Sequence, residues 1–156
     1  MAEQLWFFDT LVTVHIAGAA GSDGLSVLEH QAGPGDSPPL HIHHTEDEGF
    51  CLLTGEMRIR MRDVETRLSA GSMILAPKGV PHTYRVESSN GARWLTITTR
   101  GDFEGFVRAV ARPAELAELP ALGSAPTPEM EAEVAAIARQ FGIEFVGPPL
   151  TGPMAA

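Results

Sequence analysis

The sequence predicts an all-β protein, a small sandwich or barrel followed by a helical C-terminal extension. Two observations carry that expectation. Up to about residue 100, short runs of β-branched and alternating residues recur at spacings near ten, separated by clusters of Gly, Pro, Asn and Asp. After Gly101 the composition turns to the spacing of amphipathic helices.

In order, Leu11–Ile16 is β-branched and alternating, and the Gly-rich stretch 18–24 closes it as a loop. Leu25–Glu29 leads into a Gly- and Pro-rich turn at 33–39. Gly49–Leu53 and Glu56–Met61 flank Thr54-Gly55, a hairpin signal in which Gly supplies the positive φ. In the second of these runs Met57, Ile59 and Met61 face one way and Arg58, Arg60 and Arg62 the other. Further strands fall at 66–68, 72–76, 82–86 and 93–98. Asp102 is placed to cap a helix whose apolar stripe is Phe103, Phe106, Val107 and Val110. Thr127-Pro128 reads as N-cap and first helical residue of a second helix, with Met130, Val134, Ile137, Ala138 and Phe141 as its stripe and Gly142 as its stop. Residues 143–150 read as an extended tail that docks. The expected division is a barrel over 1–100 and a helical extension over 101–156 packed on it.

At 156 residues the chain is long enough for one sizeable core, and 44% hydrophobic residues is ordinary for a globular protein. Asp plus Glu outnumber Lys plus Arg by 20 to 11, a net charge of -9, which argues against nucleic acid or an anionic membrane as partner. Cys51 is alone, so an internal disulfide is excluded and a reducing compartment fits. With no basic, apolar leader after Met1 and no apolar run of membrane-spanning length, the expected location is the cytoplasm.

The chemistry lies between Gly35 and Val86. His41 and His43 are two apart, so on an extended strand both imidazoles share a face. His82 arrives from a separate strand, aimed by the stiff turn Pro77-Lys-Gly79-Val-Pro81. Glu46, Asp47 and Glu48 compete as a carboxylate partner, and Glu48 is favoured because it heads a strand. Three neutral imidazoles and one carboxylate suit a single divalent transition-metal ion: Fe, Ni, Co, Mn, Cu or Zn. His15 and His30 read as structural and His44, on the opposite face from the pair, as exposed.

These residues form two motifs that resemble those of the cupin superfamily. Gly35, His41, His43, Glu48 and Gly55 match Gly-x5-His-x-His-x3,4-Glu-x6-Gly; Gly71, Pro77, Gly79 and His82 match Gly-x5-Pro-x-Gly-x2-His-x3-Asn. Val86 stands where the second motif has Asn, which puts the following turn rather than the ligands in doubt. The resemblance implies a jelly-roll β-barrel, a double-stranded β-helix, with the ion in its mouth on His41, His43, Glu48 and His82. Alternation then sets Phe50, Leu52 and Tyr84 on the cavity face, with Met57, Ile59 and Leu75 as further wall residues. Tyr84 reads equally as an aromatic plug with a satisfied hydroxyl.

The single barrel, the run from His41 to Phe50 and the ending Phe141–Pro149 resemble the bacterial single-domain quercetin dioxygenases, which open the central ring of flavonols with O2 and release carbon monoxide. The implied function is a metal-dependent dioxygenase acting on a small enolisable aromatic substrate. Glu48 is its implied catalytic base, which requires an apolar wall that raises its pKa. Two other functions share the scaffold: a metal-dependent polyketide cyclase or isomerase, and a non-catalytic small-molecule-binding module. Family resemblance implies a homodimer. Leu5–Phe8 is then either a strand exchanged between copies or an ordinary strand of the chain's own sheet.

Overall fold

The computed structural model describes residues 2–153; Met1 and the last three residues of the expected extension lie outside it. In chain order the strands are β1 (Glu3–Phe7), β2 (Thr10–Ile16), β3 (Ser26–Ala32), β4 (Pro39–His43), β5 (Glu48–Thr54), β6 (Glu56–Met61), β7 (Val64–Ser69), β8 (Met73–Ala76), β9 (His82–Val86) and β10 (Ala92–Thr98). There follow helix α1 (Asp102–Val110), β11 (Arg112–Pro113), helix α2 (Pro128–Gln140) and β12 (Ile143–Pro149). All pairings are antiparallel. One sheet has seven strands in the order β11-β1-β2-β3-β10-β5-β8, the other five in the order β12-β4-β9-β6-β7. No helix among the described residues is long and apolar enough to cross a membrane.

Alternation explains the burial of β3, where Ser26, Leu28, His30 and Ala32 face inward, and of β5, where Glu48, Phe50 and Leu52 do. Phe50, Leu52 and Trp94 from the larger sheet pack on Met57, Ile59, Leu68 and Val86 from the smaller one. A second cluster joins Val12, Val14 and Leu28 to Phe103, Phe106 and Val107 of α1, Ala138 of α2 and Ile143 of β12. The hairpin at Gly55 forms with φ +85°, and a Cβ there would stand 2.5 Å from the Gly91 carbonyl, so only Gly serves.

Several expectations are corrected. Arg58, on the face opposite Met57 and Ile59, is nonetheless buried (1% exposed); its guanidinium reaches Glu65 at 3.2 Å, Glu87 at 3.0 Å and the Gly152 carbonyl at 2.6 Å. Full charge pairing makes that burial tolerable. Asp102 does not cap α1. The cap is Gly101 in the left-handed region (φ +77°), and Asp102 instead accepts from the Thr45 hydroxyl at 2.6 Å. Met130 stands outside the α2 stripe at 54% exposure, because that helix meets α1 and β12 only from Val134 onward. Thr127 does cap α2, accepting from the Met130 amide at 3.3 Å, with Pro128 as first helical residue.

Leu5–Phe8 splits. Glu3–Phe7 is a strand of the chain's own sheet, paired with β2 on one side and β11 on the other. Phe8 takes the hairpin tip with φ +52° and is 55% exposed. Where Val86 replaces the motif's Asn, the turn forms without that side chain. The Val86 backbone exchanges hydrogen bonds with Gly35 and Asp36 at 2.9 Å, and Ser88 binds the Glu56 amide.

Candidate metal centre

β4 carries two candidate ligands and is held chiefly by β12, with His43 opposite Ile143 and His41 opposite Phe145. Its ladder with β9 is the single pair His41 and His82. The Pro77–Pro81 turn that delivers His82 is tied down on both sides. The Gly79 amide donates to the His43 carbonyl at 2.8 Å, and the Lys78 amide to Asp47 at 2.8 Å. Glu48 opens β5 between Ala76 and Thr98. The result brings one ligand atom each of His41, His43, Glu48 and His82 within 4.8 Å of one another, all four side chains buried.

Glu48 Oε2 lies 2.8 Å from His82 Nε2 and 3.0 Å from His43 Nε2. On the far side of two rings, His41 Nδ1 is 2.8 Å from the Pro39 carbonyl and His82 Nδ1 is 3.0 Å from the Val80 carbonyl. A carbonyl only accepts, so each Nδ1 carries a proton, and each Nε2 is the nitrogen turned to the interior. His43 Nδ1 faces the buried Glu46 carboxylate at 3.9 Å, and neither nitrogen of that ring completes a hydrogen bond. Orphaned nitrogens, outward-anchored tautomers and a converging carboxylate fit a divalent metal ion.

Electrostatics agree with a ligand set. Burial, reinforced by His82 and His43, lowers the His41 pKa to about 3 and keeps it neutral. Burial pushes the Glu48 carboxyl up, but the nearby His43 and His82 imidazoles, the second of them hydrogen-bonded to it, override burial and hold the group well below the usual carboxylate range. The expected upward shift of Glu48 is therefore corrected: apolar walls are present, but two imidazoles stand closer.

The three competing acids divide their work. Glu48 joins the histidines. Asp47 pins the Lys78 turn. Glu46, buried at 1% exposure, accepts from the Phe103 amide at 2.5 Å and the Arg100 amide at 3.3 Å, and so supplies the cap that Asp102 does not. Only the Ser/Thr/Asp/Asn preference at helix starts was available as a sequence signal, and it pointed to the wrong acid. His44 is exposed and pairs with Glu144 at 2.7 Å, and His15 pairs with Glu29 at 2.7 Å at the surface.

Of the expected wall residues, Phe50, Leu52, Met57 and Ile59 are buried in one cluster with Tyr84 packed against it. Phe50 stands 6.1 Å from the His82 ring. Leu75 is corrected. It is 53% exposed on the outer face because it pairs with Gly49, while Ile74, opposite Phe50, turns inward. The Tyr84 hydroxyl donates to Asp36 at 3.4 Å. Burial pushes that hydroxyl's pKa well up, with Asp36 adding to the effect, so it stays a donor.

Burial, with the negative charge of Asp9, raises the Asp36 pKa from 3.8 to about 6 against the Tyr84 hydrogen bond. A raised carboxyl pKa gives stability that is fully present below pH 4 and lost as pH rises through 6. Asp36→Asn should therefore be more stable than the parent at pH 8 by about 1–2 kcal/mol, after discounting for solvent access, with the gain vanishing toward pH 4. Melting temperatures at the two pH values would show it; an equal shift at both would refute the assignment.

A family model described as cupin domain matches residues 29–98. Quercetin 2,3-dioxygenase of Bacillus subtilis (strain 168) is 27% identical over 154 residues, which is 98% of this chain and 45% of that protein; the chain spans less than half the length of this relative. Among solved structures, KdgF from Halomonas sp. aligns with a TM-score of 0.54 at 17% identity, over 62% of this chain and 84% of that one. The Schizosaccharomyces pombe Cnp3 cupin domain aligns with a TM-score of 0.53 at 12% identity, over 65% and 72%. At these identities the structural likeness shows the fold.

Proposed function

We propose that the chain, which matches a cupin domain over residues 29–98 and resembles a bacterial quercetin 2,3-dioxygenase, is a metal-dependent dioxygenase opening a flavonol or similar enolisable aromatic ring with O2. The observation that carries this is the buried convergence of His41, His43, Glu48 and His82 beside Phe50. These four residues would hold one divalent transition-metal ion. When bound, such an ion acts as a Lewis acid that lowers the pKa of a hydroxyl next to a carbonyl.

What the protein's own groups do follows from their states. His41 and His82 keep their Nδ1 protons on backbone carbonyls, and with an ion bound each would offer its Nε2 lone pair inward. Glu48 is the nearest carboxylate to a bound hydroxyl and would take its proton through a free oxygen. Since its pKa is held low, that transfer depends on acidification of the substrate hydroxyl rather than on a strongly basic carboxylate. Phe50, Leu52, Met57 and Ile59 keep water away from the enolate so formed.

Oxygen uptake tests the proposal, using metal-stripped protein reloaded separately with Fe(II), Ni(II), Co(II) or Mn(II), with and without a flavonol. Uptake should require metal and flavonol together, and Glu48→Ala should lower the rate at least about a hundredfold, ~2.7 kcal/mol. Metal loading without uptake would sink the dioxygenase and favour Lewis-acid cyclisation or ligand binding.

We extend the proposal to a closed barrel over 1–100 with 101–156 as its extension, in a cytoplasmic homodimer. The free Cys51 supports a reducing compartment. Exposed Leu53, Met73 and Leu75 on β5 and β8 support self-association, whereas the pairing of β1 within its own sheet speaks against strand exchange.

A further inference from the structure

Polar atoms remain in the interior that the metal ligands do not use. His30 on β3 lies directly across from Trp94 on β10. Its ring is sandwiched, 5.2 Å from the Trp94 ring at 12° and 5.9 Å from the Phe103 ring at 25°. His30 is 2% exposed and Trp94 1%. Both His30 nitrogens and Trp94 Nε1 are buried without a hydrogen-bond partner. Burial lowers the His30 pKa to about 4, so the imidazole is neutral and offers one N–H and one lone pair. Buried polar atoms in native proteins find a partner in protein, water or ligand, and three orphans on two adjacent side chains is a concentration that stability alone would not keep.

These two rings belong to a closed aromatic circuit that includes candidate ligands. Phe103 stands 5.7 Å from His43, His43 5.5 Å from His82, and His82 6.1 Å from Phe50. Phe50 is 6.2 Å from Tyr84, and Tyr84 5.0 Å from Trp94. His30 and Trp94 are thus separated from the ligand imidazoles by Phe103 on one side and by Tyr84 and Phe50 on the other. Ring faces and edges in this arrangement favour stacking and edge contacts with a flat conjugated molecule that carries polar groups at both ends.

We infer that His30 and the Trp94 indole N–H form a second polar pole of the binding site, hydrogen-bonding ring oxygens of a planar, polyhydroxylated aromatic substrate at the end away from the metal ligands. The inference rests on the flavonol reading above and narrows it. The indole N–H only donates, so it selects an oxygen acceptor; the imidazole, as donor and acceptor together, matches a hydroxyl. A ligand bare at that end would leave the three atoms unpaired.

The test is equilibrium binding to metal-loaded protein without oxygen, read by quenching of tryptophan fluorescence. Two probes are compared: a flavonol hydroxylated on its outer rings, and one carrying only the 3-hydroxyl and 4-carbonyl. His30→Phe keeps a ring in the sandwich and removes both nitrogens; His30→Leu serves if the larger ring does not fold. The parent should prefer the hydroxylated probe. The variant should bind that probe about five- to tenfold more weakly and the bare probe as before, the loss expected for one neutral hydrogen bond. An unchanged preference in the folded variant overturns the inference and leaves the flavonol reading standing. Failure of the parent to bind either probe overturns that reading, and the inference with it.

Discussion

His82→Ala should abolish stoichiometric metal binding while leaving the protein folded. The imidazole is fully buried, its Nδ1 anchored on Val80 and its Nε2 against Glu48, so no neighbour can swing in to replace it. Loss of partners that merely orient a ligand costs ten- to a hundredfold in affinity, so loss of a ligand should cost at least about a hundredfold. Two readouts check this. Elemental analysis after desalting should find the parent loaded and the variant empty. Added metal should raise the parent's melting temperature by mass action and leave the variant's unmoved. A folded variant that still holds one equivalent of metal would remove His82 from the site.

Arg58→Ala should destabilise the protein by about 3–4 kcal/mol, on the order of 10 °C in melting temperature. The substitution leaves Glu65 without its guanidinium and Glu87 with only Arg85, 3.8 Å away, and releases the Gly152 carbonyl, which anchors the segment following β12. Arg58→Lys should recover only part of the loss, because one ammonium cannot serve three acceptors in the geometry of a planar fork. Thermal or urea unfolding measures both; a loss below about 1 kcal/mol would show that this buried cluster contributes little.

Much of this was legible in the sequence, for identifiable reasons. The His41 and His43 pair follows from the two-residue period of a strand, and the Pro77–Pro81 turn forces His82 toward them, so local geometry carried the ligands. Leu75 failed because the same period was started one residue out of register, and only pairing with Gly49 and Phe50 decides which side faces inward. The burial of Arg58 was not legible because it depends on Glu87 and the Gly152 carbonyl, distant in sequence, as well as on Glu65 of the neighbouring strand. Glu46 was missed because the helix it caps lies more than fifty residues further on. The surroundings of His30 were not legible either, since Trp94 and Phe103 are its neighbours only in space.

The pairing of β4 with β12 also sets an order of events. The strand bearing two of the candidate ligands lies near residue 40, but the ladder that holds it comes from residues 143–149, a hundred positions later. A ribosome would have displayed every candidate ligand long before the partner of β4 existed. Until then the His41 and His43 backbone has only the bridge to His82 and the Gly79 amide on the His43 carbonyl to fix it. Ion capture in a settled geometry would thus be among the last steps of maturation, and an ion met earlier would find a flexible, unselective chelator. Choice of metal would then depend on what is available when synthesis finishes, as much as on the ligands themselves.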